Sequence, residues 1–340
     1  MRTSPTARAL VAALASALGL LACTASSSYG TGQSAAPNYP PGAWGPPGTP
    51  APTAPPPAPG AGGGAGPGGY SAAGLTDPIN RGDLGFLRAR AQTLYAELNA
   101  ALGAGPRSRM AGIPLVVDDS ASDVNAFAAC TSTGKSLIAV TDGLFLVGGY
   151  LSRCAATDDV FGTRKTDEFI RFVAQNQRPD QPLAIPGPGF LDPNQDNDAA
   201  KLTRQHQIFD EQIAFVLAHE MAHHYLGHLP CTAGNVEASE IGAVLTSVVP
   251  AFNQVNETGA DTAGTYNVLD AGKRATGYHY TERGGLLTMQ FFAGMDQLSP
   301  IDLIFAFERS HPPPQIRAPI IQQTAASWRA TGGAPLPWLL

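Results

Sequence analysis

The chain has 340 residues, enough for one sizeable core once a low-complexity start is set aside. Its 27 acidic residues outnumber 21 basic ones, and a net charge of −6 with no basic stripe argues against nucleic acid as a partner. The spacing of apolar residues, rather than bulk composition, carries the rest of the information.

Residues 1–22 read as a targeting signal. Arg2 and Arg8 precede the apolar run Ala9–Leu21, which is too short and alanine-rich to span a membrane. Leu20-Leu21-Ala22-Cys23 resembles a bacterial lipobox. That resemblance implies cleavage before Cys23 and lipidation of its thiol; an ordinary secretory signal is the alternative. Residues 23–72 are dominated by Gly, Pro, Ala and Ser, with almost no charge. Such a stretch cannot bury enough surface to offset its ordering entropy, so a disordered tether is expected there. One folded domain is expected over 73–340.

Asp83 is a candidate N-cap for a helix to about Leu102, with Leu84, Leu87, Ala91, Leu94 and Leu98 at steps of three and four. Pro114–Val117 suits a short strand. Asp123–Ala128 and Gly134–Phe145 read as a turn, a strand and a helix start. Lys165–Gln175 suits a short helix, and Pro179–Asn197 is loop-like. Three cysteines follow the lipobox: Cys130, Cys154 and Cys231. In an oxidising compartment one pair can bridge, and the sequence leaves open which.

The most informative stretch is Ile208–His228. Ile213, Leu217, Met221 and Tyr225 form one helical stripe, and Gly227 and Pro230 close the helix. His219 and His223 lie four apart on another face, close enough to share one zinc ion. Glu220, beside the first of them, is placed to act as general base on water. Zinc in a hydrolytic site needs a third protein ligand, and Glu257 suits that role. Glu237 and Glu240 are rivals better explained by a solvated helix face. Cysteine ligation is the weaker alternative. His224 and His228 read as structural.

Asn125-Ala126-Phe127, the strand after Gly134, Thr141-Asp142-Gly143-Leu144, His219-Glu220-Met221-Ala222-His223, Glu257-Thr258-Gly259-Ala260-Asp261 and His311-Pro312 occur in one order. Together they resemble the gluzincin metalloproteases of the HtpX heat-shock protease and CAAX prenyl protease type. The resemblance covers roughly Leu75–Ala325. It implies an α+β fold, mostly helical, with a small sheet and an exposed edge strand. It implies one Zn2+ per chain on His219, His223 and Glu257. It makes Asp261 a hydrogen-bond partner of His219, and sets His311 facing the metal with Arg317 behind it. Two roles are open for His311: oxyanion donor, or a ligand that keeps the enzyme latent. The resemblance also implies an edge strand for extended substrate, involving Asn125, Ala126, Leu137, Ile138 and Ala139. An open edge offers the backbone groups that such pairing needs. Residues 147–206 are an insertion relative to the family pattern, expected to serve as a lid or specificity element, or else as inert surface.

The function expected is zinc-dependent endopeptidase action on unfolded or misassembled envelope proteins. The chain would be lipid-anchored and face the periplasm or the cell exterior. A non-catalytic envelope assembly lipoprotein retaining the zinc fold is the alternative.

Overall fold

The computed structural model describes residues 76–178, 181–245, 254–298 and 311–334; the signal, Cys23 and the tether expected from sequence lie outside them. Asp83 caps the first helix as predicted, its carboxylate accepting the Phe86 N–H at 3.1 Å. Helix α1 (Leu84–Ala101) buries Leu87, Ala91, Leu94 and Leu98. Short α2 (Ala104–Met110) leads to strand β1 (Leu115–Asp118). Then come β2 (Ala126–Cys130) and β3 (Ser136–Thr141). The sheet order is β1-β3-β2, with β3 parallel to β1 and antiparallel to β2. The fold class is therefore the α+β arrangement predicted, mostly helical around a small mixed sheet.

β3, expected as the edge, is the central strand. Leu137, Ile138 and Ala139 are wholly buried. Ile138 and Val140 join the main core, while Leu137 and Ala139 pack with Phe127 and Val244 on the other face. Burial on both faces explains an apolar run without alternation. The edge beside the helices is β2, which begins one residue after Asn125.

Thr141 accepts the Leu144 N–H at 3.3 Å and starts α3 (Asp142–Phe161), whose left-handed Gly162 ends it. α4 (Lys165–Asn176) follows, then α5 (Pro193–Asp196) and the long α6 (Ala199–Tyr225). α7 (Ala238–Leu245) covers the outer face of the sheet. α8 (Gln254–Arg274), α9 (Arg283–Leu298) and α10 (Pro314–Ala330) complete the described helices.

The helical parts of the region 147–206, expected as a lid or inert surface, belong to the core. Residues 147–161 extend α3, and α4 buries Phe169, Ile170 and Val173 between α3 and α9. Phe169 stacks on Tyr150 with ring centroids 4.4 Å apart. Asp196 pins the following loop. Its carboxylate accepts Nε of Arg153 at 2.8 Å and Nζ of Lys201 at 2.6 Å, all three side chains being nearly or fully buried.

Helices α6 and α8 form an extensive contact, and Gly264 permits it. A Cβ there would stand 3.0 Å from the backbone nitrogen of His219, so a side chain would push α8 off α6 at the first of the paired histidines. A disulfide joins Cys130 at the end of β2 to Cys231 beyond α6, leaving Cys154 free and buried.

Candidate metal centre

His219, Glu220 and His223 are fully buried on α6, within the stretch whose apolar stripe packs into the core. Helical spacing brings Nε2 of His219 and Nε2 of His223 to 3.2 Å. Glu257, in the first turn of α8, faces them: Oε2 lies 3.4 Å from His219 Nε2, and Oε1 lies 3.4 Å from His223 Nε2. Bonds of about 2.0–2.1 Å in a tetrahedral zinc site place neighbouring ligand atoms about 3.3–3.4 Å apart. The three donors match that edge length.

Both Glu257 oxygens are buried and accept no hydrogen bond. An ionised carboxylate left so is costly without a cation. The donor set and this unsatisfied carboxylate fit a zinc ion held by His219, His223 and Glu257.

Supporting contacts fix the ligands. Nδ1 of His219 lies 3.0 Å from Oδ1 of Asp261. With Nε2 turned to the metal position, Nδ1 carries the proton and donates it to that carboxylate. Burial and the nearby Arg317 charge disfavour imidazolium at His219, yet the Asp261 and Glu257 carboxylates outweigh them and raise its pKa to about 9. A metal ion held at Nε2 would take the place of a proton there. His223 goes the other way: burial, then the neighbouring histidines, push its pKa well down and keep it neutral.

The resemblance gives Arg317 as a support for His311. The structure gives it Asp261 as bidentate partner, with Nε to Oδ2 at 3.0 Å and Nη2 to Oδ1 at 2.7 Å. This buried arginine on α10 holds the carboxylate that orients His219. His311 itself turns into the centre, its side chain 2% exposed. Nε2 of His311 is 3.7 Å from Oε1 of Glu220 and 3.7 Å from Oε2 of Glu257. One ligand atom from each of His219, His223, Glu257 and His311 lies within 4.8 Å of the others.

Glu220 does not join the three donors. Its Oε2 accepts the Ala128 N–H of β2 at 2.8 Å, while Oε1 faces His311. Asn125 is buried just before β2, where its backbone exchanges hydrogen bonds with Thr141. His224 is structural as expected, its Nε2 lying 3.0 Å from the Leu137 carbonyl. Glu237 and Glu240 stand apart, with Glu240 accepting the Glu237 N–H at the start of α7. Cys231 is committed to its disulfide.

Ligands for a metal, with a carboxylate base on the adjoining residue, give this centre the chemistry of a metallopeptidase. Family membership agrees: the chain belongs to peptidase family M48, which matches residues 89–325. No curated protein and no solved structure matches it.

Proposed function

We propose that this metalloprotease is a zinc-dependent endopeptidase that cleaves extended segments of unfolded or misassembled envelope proteins. The observation that carries the reading is Glu257: a buried carboxylate without hydrogen bonds, 3.4 Å from the Nε2 atoms of both His219 and His223. When bound there, zinc supplies Lewis acidity toward water and the scissile carbonyl. Glu220 takes the proton of the attacking water at Oε1 and passes it to the leaving nitrogen. The Ala128 N–H steadies the other oxygen throughout. His311 is placed to donate to the oxyanion developing on the substrate carbonyl. The outer edge of β2 suits pairing with an extended peptide, which gives affinity with loose sequence preference.

A second role for His311 rests on its closeness to the three donors, since it can complete their set in a resting enzyme. The non-catalytic alternative is disfavoured by Glu220, which a pure binding module has no need to hold in place.

Support for the envelope comes from the lipobox-like residues before Cys23 and from a disulfide, a bond favoured by oxidising compartments. No described helix is long and apolar enough to cross a membrane. The test uses the full chain in its host. Membrane fractions should cleave an unfolded protein, lose that activity to a chelator and regain it with zinc. A Cys23→Ser chain should move to the soluble fraction. A zinc-loaded chain that cleaves nothing would favour the binding module, and continued membrane association of Cys23→Ser would remove the lipid anchor.

A further inference from the structure

The two histidines of the pair are supported differently. His219 turns Nδ1 to Asp261, whereas Nδ1 of His223 faces another ring, with Nδ1 of His228 3.0 Å away. The two rings meet edge to face, their centroids 5.1 Å apart at 66°. The backbone builds this contact. Gly227 ends α6 with φ at +76°, a conformation that glycine adopts without strain. Its N–H donates to the His224 carbonyl at 3.0 Å, and the His228 N–H donates to the His223 carbonyl at 2.9 Å. These are the paired bonds of a Schellman cap, a turn that folds the second residue past the helix back onto the residue three from its end. An apolar contact commonly fills that place. Here it is filled by one imidazole against another.

We propose that His228 is a positioning residue: the Gly227 cap sets its Nδ1 to accept the Nδ1 proton of His223, leaving Nε2 of His223 as the metal donor. The reverse arrangement is inconsistent with ligation. If His228 donated instead, the proton of neutral His223 would sit on Nε2, 3.2 Å from Nε2 of His219 and 3.4 Å from Glu257. A histidine ligand is oriented by whatever accepts its other N–H. Asp261 does this for His219, and His228 does it for His223. The capping turn of the helix and the aim of its second ligand are thus one structure. The proposal rests on the zinc site described above.

Two substitutions separate orientation from packing. His228→Phe keeps a ring and removes the acceptor; His228→Asn removes the ring and keeps an acceptor close to the position of Nδ1. Zinc dissociation constants of the purified full chains are measured by competition with a chelating dye, alongside thermal unfolding of the metal-free proteins. His228→Phe should weaken zinc binding by about 10–100-fold, as loss of a ligand's hydrogen-bond partner does, and His228→Asn should stay within about threefold of wild type. Should His228→Phe not fold, His228→Ala serves as the acceptor-free chain. Wild-type affinity in the acceptor-free chain, or weak binding in His228→Asn, would overturn the proposal. A wild-type chain that binds no zinc would instead remove the metal site itself.

Discussion

Asp261 shows why the carboxylates around the centre are not equivalent. Glu257 offers both oxygens to the metal position, whereas Asp261 spends its own on Arg317 and His219. Glu257→Ala should therefore remove a ligand and lower zinc affinity most. Asp261→Ala should lower it about 10–100-fold. Glu240→Ala should leave it unchanged. Titration of each metal-free variant with zinc checks the ranking, and normal binding by Glu257→Ala would place the third ligand elsewhere. At His311 the two roles give opposite signs. Loss of an oxyanion donor lowers turnover roughly 10²–10³-fold with zinc retained. Removal of a cap raises basal cleavage. We expect the fall, because peptide hydrolysis needs that donor and the described residues hold no trigger for release from latency. Cleavage rates of zinc-saturated His311→Ala decide it, with a clear gain over wild type contradicting the oxyanion role.

Strand β2 links the sheet to the chemistry. The Ile138 N–H goes to Pro114 on the far side of β3, so Ala128, paired with Ile138, directs its own N–H outward to Glu220. Proline at this position removes that donor without removing a bond to β3. Ala128→Pro should keep zinc affinity and lower kcat about 10–100-fold, as expected for a hydrogen bond of about 1.5–3 kcal/mol to a charged group. Single-turnover kinetics with a peptide substrate check this; an unchanged kcat would separate β2 from the base. The same strand shows where sequence pattern runs out. The apolar run Leu137–Val140 marks a strand but carries no sign of which strands flank it, so an edge and a doubly covered centre read alike. Helix α6 was more legible, because His219 and His223 at four-residue spacing must share a face whatever packs around them. The N-cap at Asp83 and the cap glycine at 227 were likewise local signals.

Long-range pairings were the illegible part. Cys130 and Cys231 are 101 residues apart, and nothing local selects that pair over one with Cys154. The bidentate pair of Arg317 with Asp261 forms because α8 and α10 pack together, which their sequences do not state. The helix Lys165–Gln175 within the region 147–206 is legible from its spacing, but nothing local says that Phe169, Ile170 and Val173 pack against α3 and α9 and bind it to the core. Asp196 holds this region to α3 and α6, and its charge makes the whole fold sensitive to acid. Burial alone would raise its pKa, yet the charges and hydrogen bonds of Arg153 and Lys201 hold it below the usual value. A depressed pKa contributes stability above the unfolded value of about 3.9 and loses it as pH falls toward the folded one. Asp196→Asn, which leaves two buried cations without their carboxylate, should cost about 3–5 kcal/mol at pH 7. Denaturant unfolding should show that gap shrinking below about pH 4, where the unfolded wild-type chain takes up a proton at this carboxylate that the folded chain still refuses. A gap unchanged down to pH 3 would show that the ion pairs add nothing.

The central claim is that Glu220, held by β2 beside the donors but not among them, moves the proton of hydrolysis. Its most direct test is cleavage of an unfolded protein by purified Glu220→Gln at measured zinc content. The variant should retain one zinc per chain and a normal melting temperature while turnover falls by at least roughly 10²–10⁴-fold, the contribution typical of a positioned acid–base group. Wild-type turnover by the zinc-loaded variant would contradict the assignment.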